Sequence, residues 1–139
     1  MALPSIGGGR QIGDGNENEI VLGTQVAPAT ATSTATLTTA QLATGYILAS
    51  PGTSAAAYTL PTGALMDAAF VNMKVNSSFD ITVVNVNGSG SGAITMTAGT
   101  GWTVNEGGTN SNVLAATTGL TRSYRIRKTA AATYTLLPL

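Results

Sequence analysis

Few residues in this chain could do covalent chemistry, and their spacing leaves few reactions open. Past residue 33 the acids are Asp67, Asp80 and Glu106. Two carboxylates held about 5–10 Å apart could hydrolyse a glycosidic bond. Asp80, however, alternates out of the apolar run Phe79-Asp80-Ile81-Thr82-Val83, and Glu106 sits in the turn sequence Asn105-Glu106-Gly107-Gly108. Both read as solvated or turn-capping groups. The chain has no histidine and no cysteine, which withdraws the commonest general base, the commonest metal ligand and every disulfide. Its serines have no base to activate them and no Gly-x-Ser-x-Gly elbow. Gly7-Gly8-Gly9-Arg10 lacks the strand, helix and Lys-Ser/Thr pair of a phosphate loop. Asp14, Asn16 and Glu19 offer oxygen ligands without the register or terminal bidentate glutamate of a calcium loop. Neither an enzyme, a cofactor nor a metal is expected.

Charge recognition is the chemistry that remains. Arg122, Arg125, Arg127 and Lys128 bring four of the six basic residues together, and Asp14, Glu17 and Glu19 bring three of the six acids into the first twenty positions. In Ser123-Tyr124-Arg125-Ile126-Arg127-Lys128 a period of two turns Tyr124 and Ile126 inward and projects Arg125 and Arg127 together. Their guanidinium forks suit carboxylates. One reading is an edge strand guarded by charge. The other is a docking patch for acidic groups of a neighbouring subunit, the Asp14–Glu19 segment among them.

These residues must be positioned by a chain that is 43% hydrophobic but only 9% charged, with zero net charge. Its surface is therefore built of Thr, Ser, Asn and Gly, which suits packing against neighbours better than charge-based solubility. Nucleic-acid binding, which calls for a basic excess with aromatic partners, is not expected. No apolar run approaches the ~18 residues of a membrane span. MALPSIGGGRQIGDG has neither the basic start nor the apolar core of a secretory leader, so export by that route is not expected. The sequons at Asn76 and Asn87 accordingly carry no weight.

Residues 1–33 read as an extended N-terminal arm. Gly7-Gly8-Gly9, Gly13 and Gly15 are joints, Ile6, Ile12 and Ile20-Val21-Leu22 are apolar pegs, and residues 27–33 are a linker. Residues 34–139 read as one all-β domain. Strands are expected over 34–37, 46–48, 57–60, 70–75, 113–116, 123–128 and 134–137. Short helical turns are expected after Thr38 and Thr62, the latter placing Leu65 and Ala69 on one face. Between them Phe79–Val104 reads as a hairpin: strand 79–86, a Gly/Ser reversal at 87–92, and a strand carrying Ile94 and Met96. Phe79, Ile81, Ile94 and Trp102 would fill the core. Many short strands with frequent turns predict an antiparallel β-sandwich, jelly-roll-like, and disfavour a βαβ fold. No internal repeat is visible.

The strand 79–87 ending in Asn, the segment Gly99-Thr100-Gly101-Trp102-Thr103-Val104, the arginine strand 124–128 and the closing Ala130–Leu137 together resemble the small head-decoration, or cement, proteins of bacteriophages and related β-domains of phage fibres. The likeness covers residues 34–139 and not the arm. It implies a virion structural protein with a β-sandwich or jelly-roll body, bound as a homotrimer to the major capsid protein on the outer surface of the capsid. Contacts with capsid or neighbouring subunit are then expected from Ile6, Arg10, Ile12, Asp14, Glu17 and Glu19 in the arm, and from Arg122, Arg125, Arg127 and Lys128. The alternative is a fibre or receptor-binding domain that stacks surface glycans on Trp102, Tyr46 or Tyr58. A polysaccharide depolymerase is the enzymatic reading and is disfavoured by the isolated carboxylates. No membrane partner is expected.

Overall fold

The computed structural model describes residues 25–87, 92–104, 106, 108, 112–117 and 119–139. In chain order the elements are β1 (Ala29–Thr32), β2 (Ala35–Thr36), α1 (Thr39–Ala43), β3 (Tyr46–Ser50), β4 (Ala56–Thr59), α2 (Gly63–Ala69), β5 (Ser78–Asn85), β6 (Ile94–Thr97), β7 (Trp102–Thr103), β8 (Val113–Leu114), β9 (Thr121–Ala130) and β10 (Thr133–Pro138). They form a six-stranded sheet in the order β1-β3-β5-β9-β10-β7 and a four-stranded sheet in the order β2-β4-β6-β8. Most expected strands are present. The expected wiring is not.

Up to β6 the chain steps back and forth between the sheets. The strands β1, β3 and β5 lie parallel in one, and β2, β4 and β6 lie parallel in the other. Parallel neighbours need a crossover of a dozen or more residues, commonly a helix; here the crossover is a strand of the opposite sheet. The result is three stacked turns of a winding. Only then does the chain turn antiparallel, as β9 pairs with β5 and β10 with β9, while β8 closes the second sheet against β6. Five of the eight pairings among the described residues are parallel, so the sheets are mixed rather than antiparallel. These pairings do not follow the Greek keys of a jelly roll.

The largest single correction concerns 79–104. The strands β5 and β6 do not pair as a hairpin; they belong to different sheets. A Gly/Ser loop permits a reversal within one sheet or a crossing to the other, and its composition does not distinguish them. A second correction is at Ala29–Thr32, expected as linker, which is β1 and pairs with β3 from Ala29 beside Ile47 to Thr32 beside Ser50. Its Ala-Thr-Ala-Thr sequence has little strand preference of its own. The pairing supplies it.

Alternate residues of both sheets point into one core. Ile47, Ala49, Ile81, Val83, Tyr124, Ile126, Tyr134 and Leu136 come from the larger sheet, and Ala56, Tyr58, Ile94, Met96 and Leu114 from the smaller. The Tyr58 hydroxyl donates to the Ala31 carbonyl at 3.0 Å, tying the first turn of one sheet to the second turn of the other. Two short helices plug the end at which β3 begins. Thr38 and Gln41 form a reciprocal capping box on α1, which buries Leu42. Thr62 caps α2, which buries Gly63 and Met66 and leaves Leu65 outside. Leu65 and Ala69 thus share a face, as expected, and it is the solvent side.

Residues 70–75 are not the expected strand. Short-range bonds from the Phe70 amide to Met66 O and from the Met73 amide to Phe70 O fold them into turns. With its amides spent locally the segment has no ladder to join, and Val71 and Val75 face outward. At the opposite end, the fully buried Asn85 holds the corner after β5. Its side chain donates to Gly92 O and accepts from the Asn87 amide, while Asn87 donates to Gly52 O of the turn before. These amide side chains satisfy backbone groups where the winding leaves a sheet.

Candidate interaction surface

The arginine strand β9 splits its charges between two faces. Tyr124 and Ile126 are buried and Arg125 is exposed, as expected from alternation. The same period puts Arg122 and Lys128 on the inward face, at its two ends. Arg122 crosses to the other sheet, donating to the Val113 carbonyl and lying 5.9 Å from the Tyr124 ring centroid. Lys128 reaches Asp67 of α2 at 2.7 Å. Each thus bridges to another element of the fold, Arg122 to β8 and Lys128 to α2.

Outside, Arg125 is also engaged. It grips Asp80 of β5 through two parallel bonds, Nε to Oδ1 at 2.7 Å and a terminal nitrogen to Oδ2 at 2.9 Å. This fork holds the Asp80 carboxyl below its usual range. The acid expected from a neighbouring subunit is thus supplied by the adjacent strand. With each side chain 46% exposed, the pair is screened and adds little to stability. Arg127 donates to Asn76 Oδ1. Along the same face Thr82 and Ser123 share a hydroxyl bond at 2.9 Å. The outward face of β5 and β9 is therefore polar, hydroxyl-bearing and nearly neutral.

Asp67 is held by three donors within the fold. Besides Lys128, it accepts from the Tyr134 hydroxyl and, at 2.8 Å, from the Ala132 amide in the β9–β10 turn. Lys128 and then Tyr134 and Ala132 draw its pKa down to about 2, while burial first and Asp67 second push the Tyr134 phenol upward. A carboxylate with three donors is a clamp between α2 and the hairpin, not a general acid. Its folded pKa lies below the ordinary 3.8, so its contribution is complete above about pH 4 and is lost as pH falls through 2. Asp67→Asn is expected to lower the melting temperature at pH 7 and to flatten its fall between pH 4 and pH 2, measured by circular dichroism.

Trp102 is buried at 8% exposure, stacks on Tyr134 with centroids 5.2 Å apart, and donates its indole N–H to Pro61 O at 2.6 Å. Tyr58 is fully buried. Of the three aromatic residues suggested as glycan platforms, only Tyr46 has part of its surface outside.

The surface feature that sequence reading missed is apolar. Leu65, Val71 and Val75 are 56%, 77% and 53% exposed, beside the half-buried Phe70, Met73 and Phe79. The Phe70 and Phe79 rings meet with centroids 5.1 Å apart. Reading 70–75 as a strand assigned half of it to a core and hid this exposure. A shallower open groove of about 640 Å³ lies at the other end, between β8, β9 and the C-terminal Leu139, with Arg122 in its wall. Among the described residues no group of three acids could hold a metal, and no helix is long and apolar enough to cross a membrane. Ile6, Arg10, Ile12, Asp14, Glu17 and Glu19, expected to make partner contacts, lie outside the described residues, as do Asn16 and the loop residues 88–91. No family model, curated relative or solved structure matches the chain.

Proposed function

We propose that this chain is a virion structural protein, a decoration or cement subunit that binds the major capsid protein as a homotrimer on the outer face of a phage head. The observation that carries this reading is the disposition of its ionic groups. Asp67 and Asp80 are committed to Lys128 and Arg125 within the fold, so the body offers a hydroxyl-bearing exterior with few unpaired charges and no assembled catalytic group among the described residues. Such a body suits close packing in a protein lattice. Binding only the assembled shell stabilises that state by linkage, and three arms on one trimer add avidity to weak single contacts. The arm residues Ile6, Arg10, Ile12, Asp14, Glu17 and Glu19 supply the contacts, with Arg127 among the outward cations of the body. The jelly-roll refinement of the body is not needed for this reading.

Removal of residues 1–24 tests it. This truncation spares β1, which deletion through residue 30 would cut. It is expected to leave the melting curve of the body intact and to abolish co-sedimentation with expanded empty shells. Truncated protein that still decorates shells at full occupancy would sink the arm as the attachment device. The glycan-binding alternative loses Trp102 and Tyr58 to the core, and no feature of the exterior favours it.

A further inference from the structure

The first turn of the winding leaves the larger sheet with an unpaired edge at β1, and one side chain reaches over to close it. We propose that Gln41 is the guard of this edge, and that the outer side of β1 is a self-pairing surface. A second copy of the chain takes it up, antiparallel to β1, once the Gln41 side chain is removed.

Which backbone groups of β1 face outward follows from the bonds of β3. The carbonyls of Gly45 and Ala49 accept from the Thr82 and Val86 amides at 2.9 and 2.8 Å, so the backbone groups of Gly45, Ile47 and Ala49 are turned toward β5. Those of Tyr46, Leu48 and Ser50 are then turned toward β1. With Ala29 beside Ile47 and Ala31 beside Ala49, the amides and carbonyls of Ala29 and Ala31 complete that parallel ladder. The amides and carbonyls of Thr30 and Thr32 point away from it. Both threonines are exposed, and β1 is the end of its sheet.

Gln41 meets this edge from α1. Its side-chain nitrogen donates to Thr30 O at 2.8 Å, while its Oε1 accepts from the Thr38 amide at 2.8 Å in the capping box. The helix cap therefore holds the side chain against the edge. Edge strands are commonly protected by charge, yet residues 26–38 carry no charged side chain. The smaller sheet is closed in the same manner at β8, its last strand. There the Met96 amide bonds to Asn112 O, which turns Asn112 and Leu114 toward β6 and Val113 outward. Arg122 of the larger sheet donates to that outward Val113 carbonyl. In both sheets a side chain from another element occupies a carbonyl of an uncharged end strand.

Symmetry selects the second copy as the occupant. Two β1 strands set antiparallel across a two-fold axis at Ala31 place Thr30 of each opposite Thr32 of the other. Every outward amide then faces an outward carbonyl. Gln41 takes the Thr30 carbonyl in each copy, and with it half of the acceptors such a ladder needs.

The test is the mass of the full chain in solution, free of shells, measured by sedimentation as its concentration is raised. Gln41→Ala is expected to reach at least about twice the wild-type mass, since two copies share each edge. Thr38→Ala removes the hydroxyl that caps α1 but leaves the Gln41 side chain on Thr30 O, and is expected to keep the wild-type mass. Thr32→Pro added to Gln41→Ala deletes only an outward amide and is expected to restore the wild-type mass. Hydrogen exchange supplies a second readout. The Thr30 and Thr32 amides are expected to exchange at least about tenfold more slowly in Gln41→Ala than in the wild type. Near-ultraviolet dichroism of Trp102 reports that each variant remains folded. A folded Gln41→Ala protein with the wild-type mass and unslowed amides overturns the proposal. So does a larger mass that survives Thr32→Pro, because another surface then joins the copies. A Thr38→Ala protein that associates equally also overturns it, since loss of the cap is then the cause. Mass is read against the wild type and shell binding is not measured, so failure of the capsid reading leaves this result unaffected.

Discussion

Replacing Gly101 with alanine is expected to cost about 4 kcal/mol of folding stability. Two causes add at that site. Gly101 has φ +85°, a conformation side chains rarely adopt, and a β-carbon there would lie 2.2 Å from Ala132 O. The position cannot move aside, because its own carbonyl accepts from the Tyr134 amide at 2.8 Å where β7 meets β10. Gly63→Ala isolates the contact, since its β-carbon would lie 1.9 Å from the same oxygen without a positive φ; about 3 kcal/mol is expected. Gly52→Ala isolates the backbone cost, with φ +78° and nothing within 4 Å; about 1 kcal/mol is expected. Urea unfolding followed by circular dichroism measures all three. Equal costs at Gly52 and Gly101 would show that the approach of α2 and β7 to the β9–β10 turn is looser than 2–3 Å spacings require.

Trp102→Ala is expected to cost about 3–5 kcal/mol, a large share of the roughly 5–15 kcal/mol that holds a domain folded. The indole fills the core beneath Tyr134, whose hydroxyl in turn serves Asp67. Its loss therefore loosens both the core and the clamp on α2. Trp102→Phe keeps a ring against Tyr134 and forfeits the bond to Pro61 O, for about 1–2 kcal/mol. A Trp102→Ala protein with an unchanged unfolding midpoint would contradict the placement of this side chain in the core. It would also return Trp102 to the list of surfaces open to a ligand.

Local chemistry was legible wherever short-range forces decide it. Thr38 and Thr62 cap their helices because a threonine oxygen can meet an amide two or three residues on, and that geometry needs no distant partner. Tyr124, Ile126, Arg125 and Arg127 alternate as a strand must. Trp102, large and apolar, went to the core. The absence of histidine and cysteine is a property of composition and closed whole classes of chemistry before any fold was known.

Pairing was not legible, and the reason is the winding. Its spacing changes from eighteen residues, with Ala29 beside Ile47, to thirty-six, with Tyr46 beside Thr82. An insertion carrying α2 and residues 70–77 lengthens the second turn, so no fixed period marks the stacked strands. Side-chain alternation states which face of a strand is apolar but is the same for parallel and antiparallel neighbours. The loop after Asn87 therefore read as a hairpin although β5 and β6 belong to different sheets.

The candidate interaction surface was visible only in part. The six basic and six acidic residues, and their concentration at opposite ends of the chain, are facts of the sequence. Which of them remain outward is set by the register of β9. It aims Arg122 and Lys128 inward, brings Arg125 to Asp80, and puts Arg127 beside Asn76. By itself the sequence determined a strand-rich, cysteine-free and histidine-free chain with few charges. The tertiary structure decided which charges are consumed within the fold and which face outward, because ion pairs form between residues that only the register makes neighbours.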